Sequence, residues 1–354
     1  MKNEISRSAM RYRLFGSIGS PYALKLRSLM RYKRLPFDWM PATLDWIPEN
    51  LPHPPLCAAS NALLRDLSPK VVPAVYFPED ASVRNESTTI AYLLDYEHKD
   101  RPVVPLDLGA AFLSDLIEDM ADEWFVKVAF LYRWGTQENA TFKSRVVTGE
   151  FLGGNYHQSV LQEAAAHFSS RQQSRMPLVG ATPRNAPLIL ESFNRLLKAM
   201  DGISSSSTFL FGNSPTLADF GLYGQLQSLA TDPTSWKAMR DRGLGIFPYL
   251  QLLEDSSGID PEQIDLSNVG AATTGLLQLA ADIYLPYLKS NQQALEEGRP
   301  EFCFEALGLS YTQAPFKYHA KCYCLLQEKY NALNASARLR INEIVDLNDC
   351  FSSN

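Results

Sequence analysis

The chain has no run of about eighteen consecutive apolar residues, so it offers no membrane-spanning helix. Its opening stretch, residues 1–13, lacks the apolar core of a secretory signal; it holds Arg and Ser, as organelle-targeting segments do, but is brief and contains Glu4. Positive charge is not in excess. Against 33 Lys and Arg stand 39 Asp and Glu, a formal net charge of -6, whereas nucleic-acid binding usually needs a basic face. No nucleic-acid partner is expected. The local concentration Lys25, Arg27, Arg31, Lys33 and Arg34 reads as the wet side of one amphipathic helix. Cysteine is scarce. Cys57, Cys303, Cys322, Cys324 and Cys350 form an odd set without framework spacing, which fits a reducing, cytoplasmic setting. A second cysteine pair at zinc spacing is missing, and His53, His98, His157, His167 and His319 show no ligand spacing; no metal is expected.

What is present is ordinary globular material in sufficient length. With 354 residues, 45% hydrophobic and 20% charged, the chain can fill two domains. A strand is expected over Tyr12–Phe15, ending at Gly16. Pro21 suits the first turn of a helix with Ser20 as its N-cap, and Tyr22, Leu26, Leu29 and Met30 give that helix a buried stripe. A short strand over Phe37–Met40, a proline-rich loop over Pro41–Pro55 and a helix over Ala58–Leu67 follow. Pro73 belongs at the start of the next strand, through Phe77, since a central proline would remove a ladder hydrogen bond; a cis bond to Val72 is an option open to proline. An edge strand over Ser82–Arg84 and a helix over Ser87–His98 complete a β-α-β-α-β-β-α order.

Arg101–Leu108 reads as a linker, and beyond it strand signals give way to helical ones. Leu113, Leu116, Met120, Trp124 and Val128 mark one long helix. Leu190, Phe193, Leu197 and Met200 mark another. Ser204–Ser207 is a polar break, and Thr216 with Asp219 forms a capping box that opens a buried helix over Leu217–Leu229. More helix is expected over Gly270–Leu295, a small hairpin around Gly308, a last helix over Pro315–Leu333, and a loose end over Asp346–Asn354. The organisation is therefore an α/β unit over residues 11–100, an all-helical unit over 109–260, and a mostly helical extension with a small hairpin over 261–335.

Three stretches in this order resemble the glutathione transferases. LFGSIGSPYALKLRSLM is similar to the first strand and helix of members with a serine at the active position. KVVPAVYF followed by NESTTIAYLLDYEH is similar to their glutathione-binding stretch, and FGNSPTLADFGLYGQL to the capped helix of their second domain. The resemblance covers Tyr12 to Leu252, with the later sequence resembling a longer branch of the superfamily. It implies a thioredoxin-like domain followed by an all-α domain. It also implies glutathione as co-substrate, a small hydrophobic electrophile as second substrate in a detoxification type of chemistry, and a two-fold homodimer. The extension could serve a partner or cover the pocket.

Carried over residue by residue, the resemblance gives Ser20 as the hydroxyl that stabilises the glutathione thiolate. A donor and a helix N-terminus both favour that anion. Ser20 is equally a plain N-cap, and Ser17 is a second candidate. The backbone of Val72 would pair with the cysteinyl part of glutathione like an added strand. Glu86 would accept from the γ-glutamyl ammonium and Ser87 would bind the γ-glutamyl carboxylate; both also suit helix capping. Lys70 is a weaker candidate for the glycine carboxylate. A thiol-redox role is disfavoured, because the Cys-x-x-Cys place reads Ser20, Pro21, Tyr22, Ala23. Trp124, Phe130, Tyr132 and Trp134 fall next to where an electrophile pocket would form, with core packing the expected role of most of them. Two functions stay open: a glutathione-dependent transferase, lyase or isomerase, and a non-catalytic binding or scaffolding protein on the same fold.

Overall fold

The computed structural model describes residues 11–42, 46–48, 50–51, 55–154, 156–203 and 207–351. Parts of the expected Pro41–Pro55 loop and of the Ser204–Ser207 break lie outside them. Strand β1 (Tyr12–Gly16) runs parallel to β2 (Phe37–Pro41), joined by helix α1 (Pro21–Tyr32). After α2 (Pro55–Leu63), strand β3 (Ala74–Phe77) pairs antiparallel with β1 and with β4 (Ser82–Asn85), giving the order β2-β1-β3-β4. Helix α3 (Ser87–Glu97) returns beside α1. This is a thioredoxin-like unit. Alternation along the strands divides its core: Leu14 and Val75 face the helices, while Phe15 and Ala74 face the opposite side with Val72 and Leu64.

Helices α4 (Leu108–Glu123), α5 (Val126–Trp134), α6 (Gln137–Phe151), α7 (Gln158–Ser174), the short α8 (Met176–Val179) and α9 (Ala186–Met200) follow, then α10 (Leu217–Ala230), α11 (Pro233–Arg242) and α12 (Ile246–Glu254). The single long helix expected through Val128 is in fact two. The chain turns at Trp124–Phe125, where both rings are buried and the Trp124 Nε1–H donates to Ser192 Oγ at 2.8 Å. Apolar spacing continues across this turn, so periodicity does not register it.

Helix α10 is buried all round and packs against both α1 and α4. Its capping box forms as expected. Asp219 Oδ2 accepts from the Thr216 N–H at 2.8 Å and hydroxyl at 2.9 Å, and Oδ1 accepts from the Leu210 N–H and the Tyr249 hydroxyl. At Gly224 the helix passes so close to the Pro21 carbonyl that a methyl group would overlap it.

The extension comprises α13 (Ala271–Leu279), a π turn at Ala280–Tyr284, α14 (Leu285–Glu296), a hairpin of β5 (Phe302–Ala306) and β6 (Leu309–Gln313), α15 (Lys317–Ala332) and α16 (Ala335–Ile344). The hairpin turns on Leu307 and Gly308, both at positive φ, as a two-residue loop matching strand twist requires. Two amides dock these elements by imitating peptide groups. Asn185 exchanges two bonds with Thr312, and Asn291 exchanges two with Phe316. Helix α16 goes beyond the expected last helix. Of the expected loose end, the described part through Phe351 is packed: Leu347 and Phe351 are buried, the latter against Phe112 and Tyr330, while 352–354 lie outside the described residues.

Positive charge on α1 is the other correction. Lys25 is fully buried, paired with Glu118 and, at 2.6 Å, with Asp122. Lys33 is buried on Asp95 at 2.7 Å, and Arg27 and Arg31 bind Glu254. Only Lys25 owes its burial to α4, which carries carboxylates inward; Arg27 and Arg31 are half-buried and Arg34 stays exposed. Along the same helix Asp115 meets Lys329, and Asp119 accepts from Tyr284.

Candidate functional site

Between the thioredoxin-like unit and the helices lies a cavity of about 460 Å³. Three segments of the first unit reach it: the loop through Ser17, Gly19 and Ser20, the stretch Val71–Pro73, and the α3 start at Glu86–Thr88. Ser20, Val72, Glu86 and Ser87 are thus brought to one wall. Lys70 is exposed and does not line it.

The loop before α1 is fixed from the helical side. Glu150 of α6 accepts the Ser17 hydroxyl at 2.6 Å and the Ile18 N–H at 3.0 Å. Arg133 of α5 donates to the Gly19 carbonyl at 2.9 Å and is itself paired with Asp232. Ser17 therefore has its proton committed. Ser20 is the N-cap, accepting from the Ala23 N–H at 3.3 Å. A cap uses a lone pair and leaves the proton. Among the described residues no acceptor takes that proton, so capping and donation into the cavity do not compete.

The Val72–Pro73 bond is cis, and the ladder begins only at Ala74. Among the described residues the Val72 N–H and C=O make no hydrogen bond, leaving one donor and one acceptor on the cavity wall. Glu86 has φ +74, an uncommon backbone for a residue with a side chain. Its side chain makes no cap to α3. Instead its Oε2 accepts from the Tyr318 hydroxyl at 3.1 Å, leaving Oε1. Ser87 begins α3, where the first helical N–H groups have no intrahelical partner.

Opposite this polar wall the lining is aromatic: Trp46, Phe130, Trp134, Phe151 and Phe168. Of the four aromatic residues expected near a second pocket, Phe130 and Trp134 line the cavity. Trp124 packs against Tyr287 and Tyr311, and Tyr132 against Phe193. The extension contributes the remaining wall through Phe316 and Tyr318.

Asp122 and Glu123 also line the cavity, at the end of α4. Neither carries a local sequence signal of a site, and His319 stands at no ligand spacing. His319 is buried, with Nε2 3.0 Å from Glu123. The two lie 196 positions apart, and no local signal links them. Burial foremost pushes the Glu123 carboxyl up to about 7; Lys127 opposes the shift, and Glu118 and Glu86 add to it. Burial likewise pulls the Lys127 amine down to about 7.

No family model matches the sequence, and no curated protein does. Solved structures overlap it loosely. A glutathione S-transferase of Methylobacterium radiotolerans, in complex with glutathione sulfonate, is 19% identical over 72% of this chain and 97% of its own, with a TM-score of 0.42. A beta-etherase of Sphingobium sp. strain SYK-6 is 14% identical over 68% and 94%, with a TM-score of 0.44. A glutathione S-transferase of Ceriporiopsis subvermispora, in complex with glutathione, is 13% identical over 71% and 99%, with a TM-score of 0.40.

Proposed function

We propose that this chain binds glutathione on the polar wall of the cavity and directs its thiolate at a hydrophobic electrophile held on the aromatic wall. The observation that carries this reading is the meeting of three unsatisfied features on one wall: the Ser20 hydroxyl proton, the free Val72 backbone, and the α3 start beside Glu86. Each suits one part of an extended γ-glutamyl peptide. Val72 would exchange two backbone hydrogen bonds with the cysteinyl unit, as an added strand does. The first N–H groups of α3 and the Ser87 hydroxyl would hold the γ-glutamyl carboxylate, because a helix N-terminus favours an anion. Glu86 Oε1 would accept from the ammonium while Oε2 stays with Tyr318. The sulfur would then lie beside Ser20, whose O–H favours the thiolate over the thiol.

Isothermal titration with glutathione tests the binding half, and a panel of electrophiles tests the transfer half. Saturable binding that Glu86→Ala weakens, followed by adduct formation, supports the whole reading. Binding without any adduct leaves a glutathione-binding scaffold. The homodimer belongs to the same proposal and is checked by sedimentation at micromolar concentration; a single monomeric species overturns it.

A further inference from the structure

Behind Glu123 stands a chain of hydrogen-bonding groups whose direction can be assigned. Lys127 Nζ lies 3.2 Å from the Tyr287 hydroxyl, which lies 2.7 Å from His319 Nδ1; His319 Nε2 lies 3.0 Å from Glu123 Oε2. Charged or neutral, the Lys127 amine keeps at least two N–H groups; one donates to the Val179 carbonyl at 2.9 Å and another to the Tyr287 oxygen. The Tyr287 proton has two acceptors in reach. Gln313 Oε1 is the longer contact at 3.3 Å and already receives Tyr311 at 2.7 Å. His319 Nδ1 therefore takes it, and the imidazole proton stays on Nε2, aimed at Glu123. Lys127, Tyr287 and His319 are buried. The Glu123 side chain keeps 15% of its surface open, on the cavity side. One carboxyl oxygen is thus held from behind and the other is left to a bound molecule.

We propose that Glu123 is the general acid of this site, that His319 positions it, and that the electrophile is an activated alkene such as an α,β-unsaturated carbonyl compound. The inference rests on the glutathione reading above. Thiolate attack on the β-carbon forms the C–S bond and breaks the C=C π bond. The electron pair moves toward the carbonyl, and the α-carbon then needs a proton. Glu123 delivers it and becomes a carboxylate, stabilised by the His319 N–H and by Lys127 one turn along. The proton that glutathione lost on ionising returns to Glu123 through cavity water, so the thiol hydrogen ends on the α-carbon. Displacement of a halide needs no such donor, because the leaving group departs as an anion. A built acid facing the cavity therefore distinguishes the two substrate classes.

The test compares two probes, an aryl enone and a benzyl halide, each with glutathione. Glu123→Gln should lower kcat for the enone on the order of 100-fold, within the span of general acid catalysis. The glutathione Kd should stay within about twofold, which also reports that the variant is folded, and any loss on the halide should be about tenfold or more smaller than the loss on the enone. Glu123→Asp, which keeps an acid, should recover part of the enone rate. In deuterium oxide the wild-type adduct should carry deuterium on one face of the α-carbon, and the residual Glu123→Gln product should lose that selectivity. Equal losses on both probes, no loss on either, or an unselective wild-type adduct overturns the inference. Wild type that binds glutathione and turns over the halide alone overturns it while the glutathione reading stands. Absence of glutathione binding overturns both.

Discussion

Glu150 of α6 accepts the Ser17 hydroxyl at 2.6 Å, and so separates two serines that are both candidates in the sequence. Ser17 is a strut of the loop, whereas Ser20 has a proton to give. Ser20→Ala should raise the pKa of bound glutathione and slow turnover at neutral pH with little change in Kd. It should also lose about 0.5–2 kcal/mol of stability with the cap. Ser17→Ala should loosen the loop and leave the thiol pKa closer to wild type. Ultraviolet titration of the bound thiolate decides; equal values in wild type and Ser20→Ala would reduce Ser20 to a cap.

Glu86 is the second test of the site. If its carboxylate meets the γ-glutamyl ammonium, Glu86→Ala should weaken glutathione by about 1.5–3 kcal/mol, the usual range for hydrogen bonds to a charged group. Calorimetry at fixed salt gives the number, and an unchanged Kd removes Glu86 from the site.

Lys25 is shared between two buried acids, Glu118 and Asp122. Lys25→Met should leave Glu118 and Asp122 without a cation and cost about 3–5 kcal/mol, as removing one partner of a buried pair does. A urea midpoint within error of wild type would show that water reaches the pair.

Asp119 gives a pH dependence with a defined sign. Burial first, then Glu123, pushes its carboxyl up to about 7, against roughly 3.9 in an unfolded chain. The folded state therefore holds a proton that the unfolded state has released over this interval. The stabilisation is complete below about pH 4 and is lost as pH rises through about 7. Asp119→Asn should flatten that fall in urea midpoints measured from pH 4 to 8. An unaltered slope assigns the fall to Asp122 and Glu123, which are raised in the same direction.

Gly224 tests how tightly α10 supports the α1 start. Gly224→Ala should cost about 1–3 kcal/mol as an overpacked contact, and it should raise the pKa of bound glutathione by moving Pro21 and its neighbour Ser20. Full stability with an unchanged thiol pKa would show that α10 can shift without disturbing the site.

What the sequence made legible was local. The Ser20 cap, the proline opening β3, the Thr216 box and the Leu307–Gly308 turn each rest on residues within a few positions of one another, and each appears where expected. What it concealed was long-range. Lys25 and Lys33 look like surface charge until α4 and Asp95, 62 to 97 positions later, are folded against them. Phe316 and Tyr318 look like ordinary helix-start aromatics until the hairpin and the Asn291 clamp bring them to the cavity. Glu123 and His319 acquire meaning only as a pair.

The carboxylates of α4 carry an implication for heredity. Asp115, Asp119 and Glu123 have their partners in Lys329, Tyr284 and His319, all supplied by the extension. A related gene that shed the segment beyond residue 260 would not be left with a smaller working copy. It would inherit a helix whose acidic letters have lost their correspondents and whose apolar flank faces water. Loss of the segment must therefore follow, or accompany, replacement of those three acids. Among kindred sequences, acidic residues at these α4 positions should travel with the extension and be missing where it is missing.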